Sequence, residues 1–169
     1  MSNKFVLLLV LLSTTLFISG CITGEDSNKN NTTPAGIGND MIPKTNLPQG
    51  FVYMATHEVS VPIGTSFMNA TEGVYRNNGE DLYVQVIKSE NPDAVIAQFR
   101  SRYANVKYIP FQEIYFNGHN ATQVTDYTTI NGNQKPHYTV IWPADKSVII
   151  VGTSTQSQIV ISLASATSH

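Results

Sequence analysis

The chain has 169 residues, of which 13% are charged, with 10 Lys and Arg against 12 Asp and Glu. That length suffices for one domain behind a leader, and the charged share is about half of what a typical soluble domain carries. No basic surplus exists to neutralise phosphates, so nucleic acid is not an expected partner. The one cysteine, Cys21, leaves no disulfide to brace the core.

The first segment reads as an export signal. Lys4 gives a positive start, Phe5 to Leu12 is apolar, Leu16, Phe17 and Ile18 close the run, and Ile18-Ser19-Gly20-Cys21 ends it. Three readings stand. An uncleaved anchor is one, although Ser13-Thr14-Thr15 interrupts a run already shorter than the ~20 apolar residues of a spanning helix. A secretory signal with ordinary cleavage is the second. In the third, the aliphatic–small–Gly–Cys order of Ile18, Ser19, Gly20 and Cys21 resembles the lipobox of prokaryotic lipoproteins. That resemblance implies lipid on the Cys21 sulfur, Cys21 as the first mature residue, and an address at the outer face of the cell membrane.

Residues 22–48 read as a spacer rich in Asn, Thr, Gly, Asp and Ser, with too little apolar surface to offset the entropy of ordering it. As a flexible coil it holds the domain roughly 30 Å from its anchor. Sequons for N-glycosylation occur at Asn30, Asn31, Asn69 and Asn120.

The domain is expected over residues 49–169. Phe51–Ala55 reads as a strand, His57–Val61 extends it or forms another, and Pro62-Ile63-Gly64 breaks it. Gly73–Arg76 and Leu82–Ile87 flank Asn77-Asn78-Gly79, a hairpin signal because Asn and Gly accept positive φ. Asn91-Pro92-Asp93 opens a helix to about Tyr103: Asn91 caps, Pro92 suits the first turn, and Asp93 and Arg100 complement the dipole. Ile96, Phe99 and Tyr103, with Val95, make its apolar stripe. Val106–Phe116 reads as a strand with a kink or edge position at Pro110. A two-residue Asn117-Gly118 loop sets Phe116 opposite His119, Ile114 opposite Ala121 and Phe111 opposite Val124. A strand ending near Ile130, a turn at Asn131-Gly132-Asn133, and a strand with Tyr138, Val140 and Trp142 on one face follow. Pro143–Lys146 reads as a turn. Val148–Val151 is too apolar for an edge. A closing helix, capped by Ser154 or Thr155, carries Ile159, Leu163 and Ala166, widened by Val160. The fold class is α+β: a twisted antiparallel meander packed by two helices.

The helix bearing Ile96, Phe99 and Tyr103, then Glu113–Ala121, Val140–Trp142, Val148–Val151 and the closing helix resemble small exported α+β domains on lipoproteins of archaea and some bacteria. More loosely they are similar to the PsbP-like fold. The likeness covers residues 50–167; it implies a fold and an address, and no catalytic residue.

Candidate chemistry is sparse. His57, His119, His137 and His169 are too dispersed for the tight pair spacings of a zinc site, so no metal and no cofactor is expected. His57 and Glu58 would point to opposite faces of a strand, His119 reads as a polar turn residue, and His169 is terminal. No Gly-x-Ser-x-Gly elbow or phosphate loop occurs; Asp126 and His137 could meet on neighbouring strands, most simply as a surface pair, and no catalytic residue is assigned. Of eight tyrosines, Tyr75, Tyr83, Tyr108, Tyr115, Tyr127 and Tyr138 fall on predicted strands; most should be half-buried sheet residues, with a minority free to line a groove, and Trp142 reads as core. The expectation is a membrane-anchored binding or interaction module, not an enzyme, engaging an envelope protein, a glycan or a small apolar ligand. The alternative is a cell-surface hydrolase or metal-handling protein.

Overall fold

The computed structural model describes residues 41–167. Cys21 with its Ile18-Ser19-Gly20 motif, Asn30, Asn31 and His169 lie outside the described residues. The strands are β1 (Phe51–Ile63), β2 (Ser66–Asn77), β3 (Glu80–Lys88), β4 (Phe111–Phe116), β5 (His119–Ile130), β6 (Asn133–Ala144) and β7 (Ser147–Ser154). The helices are α1 (Pro92–Ser101), after β3, and α2 (Ser157–Ala166), after β7. All seven strands form one antiparallel sheet in the order β1-β2-β3-β7-β6-β5-β4. The fold class is α+β, with a meander-like strand order.

β7 lies at the centre, as its Val148–Val151 run requires. These side chains alternate between two cores: Ile149 and Val151 in one, Val148 and Ile150 in the other. The first core holds Tyr75, Leu82, Val140 and Trp142 under Val160, Leu163 and Ala164 of α2. The second holds Val61, Ile87, Val124 and Ile141 under Val95 and Phe99 of α1. The helices therefore pack on opposite faces of the sheet. Each fully buried Val, Leu, Ile or Phe contributes about 1.5–3 kcal/mol, so burial on both faces makes β7 the strand least able to leave the sheet.

The hairpins follow the Asn-Gly signals. Asn78-Gly79, Asn117-Gly118 and Asn131-Gly132 all have positive φ, between 46° and 86°. The expected register of β4 on β5 is observed: Phe116↔His119, Ile114↔Ala121 and Phe111↔Val124. At α1, the Asn91 side chain accepts from the Ala94 N–H at 3.1 Å, with Pro92 and Asp93 in the first turn.

Several expectations are corrected. Pro62 does not break β1, which runs to Ile63; β1 is an edge strand, where a missing N–H is tolerated. β2 begins at Ser66, in a stretch whose strand character rests on pairing with β1 rather than on alternation. Residues 106–110 are not strand, so β4 starts after Pro110. Pro143 lies inside β6, beyond its last pair with β5 (Thr122↔Ile141), and the turn falls at Asp145-Lys146. Helix α1 ends at Ser101, and the chain continues in i→i−3 bonds from Tyr103 to Arg100 and Ala104 to Ser101. Ser154 and Thr155 do not cap α2; both hydroxyls donate to Glu80, and Gln156 takes the cap position.

The spacer boundary also moves. Met41 and Ile42 are core residues, and the Tyr75 hydroxyl donates to the Pro43 carbonyl at 2.9 Å. The packed structure thus reaches upstream of residue 49. Gly73 makes room for this segment: a Cβ there would collide with Ile42 Cγ2 and stand 3.0 Å from the Tyr75 hydroxyl. Gly73→Ala is expected to cost ~1–3 kcal/mol by overpacking and much less in an Ile42→Ala background. Denaturant midpoints of the two single variants and the double variant measure that coupling.

Candidate functional site

Helix α1 covers only part of its face of the sheet. Beyond its end a cleft of about 460 Å³ opens. Its apolar floor is Val61, Phe99 and Ile150, all nearly inaccessible to solvent. Tyr83 and Gln85 of β3 line one side, and Thr139 and His137 of β6 with Asp126 and Thr128 of β5 line the other. Arg102 and Tyr103, in the tightened turn after α1, form the rim. The alternation that sends Val124 and Ile141 under α1 sends Asp126, Thr128, His137 and Thr139 to the same face.

Asp126 and His137 are directly opposite in the β5–β6 register, as the sequence allowed. They do not form the expected surface pair. Asp126 Oδ1 accepts from the Tyr108 hydroxyl at 3.1 Å and from the Tyr127 N–H at 2.7 Å. His137 Nε2 is buried and has no hydrogen-bond partner among the described residues. Arg102 donates to the Pro62 carbonyl at 3.3 Å and lies over the Phe99 ring, 5.7 Å from its centroid; it forms no ion pair among the described residues. Among the described residues no three His, Cys, Asp or Glu side chains are grouped to hold a metal ion.

The tyrosines in the cleft, and Tyr108 bonded to its Asp126, resist ionisation. Burial pushes the Tyr83 hydroxyl up, with a contact to Thr139 working the other way. Burial also raises Tyr103; Asp126 adds to the rise and Arg102 opposes it. Tyr108 is pushed up to about 12, first by desolvation and then by the Asp126 carboxylate it bonds.

The remaining candidates lie elsewhere. His57 Nε2 is 3.2 Å from Glu72, whose other oxygen accepts from Gln85, while Glu58 accepts from Thr71, so His57 and Glu58 do face opposite ways. His119 is not a turn residue: it opens β5 and packs near the Phe116 and Trp142 rings. Trp142 is fully buried, its ring edge-on to Phe116 at 5.2 Å. Of the strand tyrosines, Tyr75 is wholly buried, Tyr83 and Tyr138 are half-buried, and Tyr115 and Tyr127 are exposed; Tyr108 lies outside any strand. Asn69 and Asn120 are exposed on β2 and β5. Among the described residues no helix is long and apolar enough to cross a membrane.

Arg102, Tyr103 and Tyr83 were not singled out as site residues from the sequence. Arg102 reads there as a helix-end charge and the tyrosines as core, and no local signal sets them opposite Asp126 and His137.

No protein-family model matches the chain, and no curated protein does. A solved structure of a GTP-binding regulator from Thermotoga maritima is similar over 71% of this chain and 76% of its own, at 14% identity and a TM-score of 0.43. Likeness at that level carries no function across.

Asp126→Asn is expected to bring the Tyr108 pKa down from about 12 toward the ordinary value of about 10. NMR titration of ring-labelled tyrosine reads this directly. Tyr75, Tyr83, Tyr103 and Tyr108 all have raised values in the fold. The unfolded chain therefore loses these protons first, and stability should hold below about pH 10 and fall as pH rises beyond it.

Proposed function

We propose that the chain is an exported protein, lipid-anchored at Cys21 on the outer face of the cell membrane, whose α+β domain binds a small molecule in the cleft beside α1. The cleft carries this reading. It combines an apolar floor with a few convergent polar groups, and its size falls in the range of small-molecule sites. His137 lines the cleft, and its Nε2 is buried without a hydrogen-bond partner among the described residues, a costly arrangement for a polar atom. The anchor rests on the Ile18-Ser19-Gly20-Cys21 motif after its apolar run. The PsbP-like resemblance read from the sequence belongs to the same proposal. A hydrolytic reading draws on the Asp126–His137 juxtaposition alone and requires turnover of a surface substrate that His137→Ala abolishes.

Two measurements test the proposal. In cell fractionation, Cys21→Ala should shift the protein out of the membrane or leave unprocessed precursor; an unmodified mature Cys21 in mass spectrometry contradicts the anchor. In thermal shift, the small-molecule fraction of the source cells should stabilise the full chain, because a ligand of the native state raises its stability. Thr128→Trp, a change at an exposed position of the β5 wall, should abolish that gain. Equal stabilisation of Thr128→Trp contradicts the cleft as the binding site.

A further inference from the structure

We infer that the cleft takes a small zwitterion with an apolar body, of the size of an amino acid or a dipeptide. Its carboxylate meets Arg102, its ammonium meets Asp126, and its apolar part lies on the Phe99 floor. This rests on the cleft being a ligand site and names what that site selects.

The cleft holds one cation and one anion that do not pair with each other. Arg102 sits on the turn after α1 and Asp126 on β5, so different elements fix them on different walls. Both act on the same phenol: Asp126 raises the Tyr103 pKa and Arg102 lowers it. Each keeps unused capacity. Arg102 gives one N–H to the Pro62 carbonyl, and its fork has five. Among the described residues the hydrogen bonds to Asp126 fall on Oδ1, and Oδ2 accepts none.

Charge balance then selects the ligand. A simple anion drawn to Arg102 also meets Asp126, and a simple cation drawn to Asp126 also meets Arg102. A zwitterion laid between the walls satisfies both, and complementarity of this kind sets specificity. The other acidic group near Tyr83, Glu72, is already engaged by His57 and Gln85 and does not compete. The floor between the walls is apolar, so the ligand needs an apolar side chain as well as its two charges.

Isothermal titration calorimetry of the full chain in detergent tests this with four probes: L-phenylalanine, L-leucyl-L-leucine, L-phenylalaninamide without the carboxylate, and phenylpropionate without the ammonium. The zwitterions should bind at least roughly tenfold more tightly than either truncated analogue, as a charged hydrogen bond lost on each side implies. Arg102→Gln should erase the preference over the amide, and Asp126→Asn the preference over phenylpropionate; both sites are exposed, and an unchanged melting curve verifies folding. Equal binding of phenylalanine and phenylpropionate overturns the inference. So does the absence of zwitterion binding at millimolar concentration. If the cell fraction still stabilises the protein and Thr128→Trp blocks it, only the ligand class has failed. If it does not, the cleft reading falls with it.

Discussion

The burial of β7 on both faces is the constraint on which the structure depends. A strand whose Val148, Ile149, Ile150 and Val151 are all inaccessible needs a cover on each side. α2 supplies one and α1 the other. Both helices have 10 residues, about 15 Å of length. β5 and β6 have 12 each, about 40 Å when extended. A cover that short cannot span strands that long. On the α1 side, the uncovered remainder of the sheet and the turn that ends the helix enclose the cleft.

Many polar groups outside the cleft are matched locally. His57, Glu72 and Gln85 satisfy one another, Arg76 pairs with Asp81, Arg100 with Glu113, and Lys146 with Glu90. Exposed pairs of this kind contribute little stability. In the cleft Arg102 rests on a ring and a carbonyl, and Asp126 Oδ2 accepts no hydrogen bond among the described residues. What distinguishes the cleft is a cation and an anion held on different walls over one apolar floor, where the sheet is uncovered.

Much of the fold was legible in local chemistry. The Asn-Gly pairs gave both turn position and register, so the Phe111–Phe116 strand was placed against its partner residue by residue. Asn91-Pro92-Asp93 gave the start of α1, because capping is a short-range property. What escaped was whatever depends on neighbours far along the chain. Pro62 and Pro143 read as breakers, yet each lies in a strand where a missing N–H costs no complete ladder. Met41 and Ile42 read as spacer because two apolar residues in a polar run carry no periodicity; only Gly73, which leaves them a place, shows their role. Asp126 and His137 could be set opposite each other because one hairpin joins their strands. Tyr83 and Arg102 could not, because their place beside that pair depends on β3 lying next to β7, a contact between strands nearly 60 residues apart in sequence.

The central claim is that the domain works through the cleft left open by α1. Amide and imidazole NMR of the full chain, titrated with the small-molecule fraction of its source cells, tests this most directly. Perturbations centred on Tyr83, Arg102, Tyr103, His137 and Thr139 are predicted. Perturbations confined to the edge strands β1 and β4, with the His137 imidazole unmoved, would contradict it.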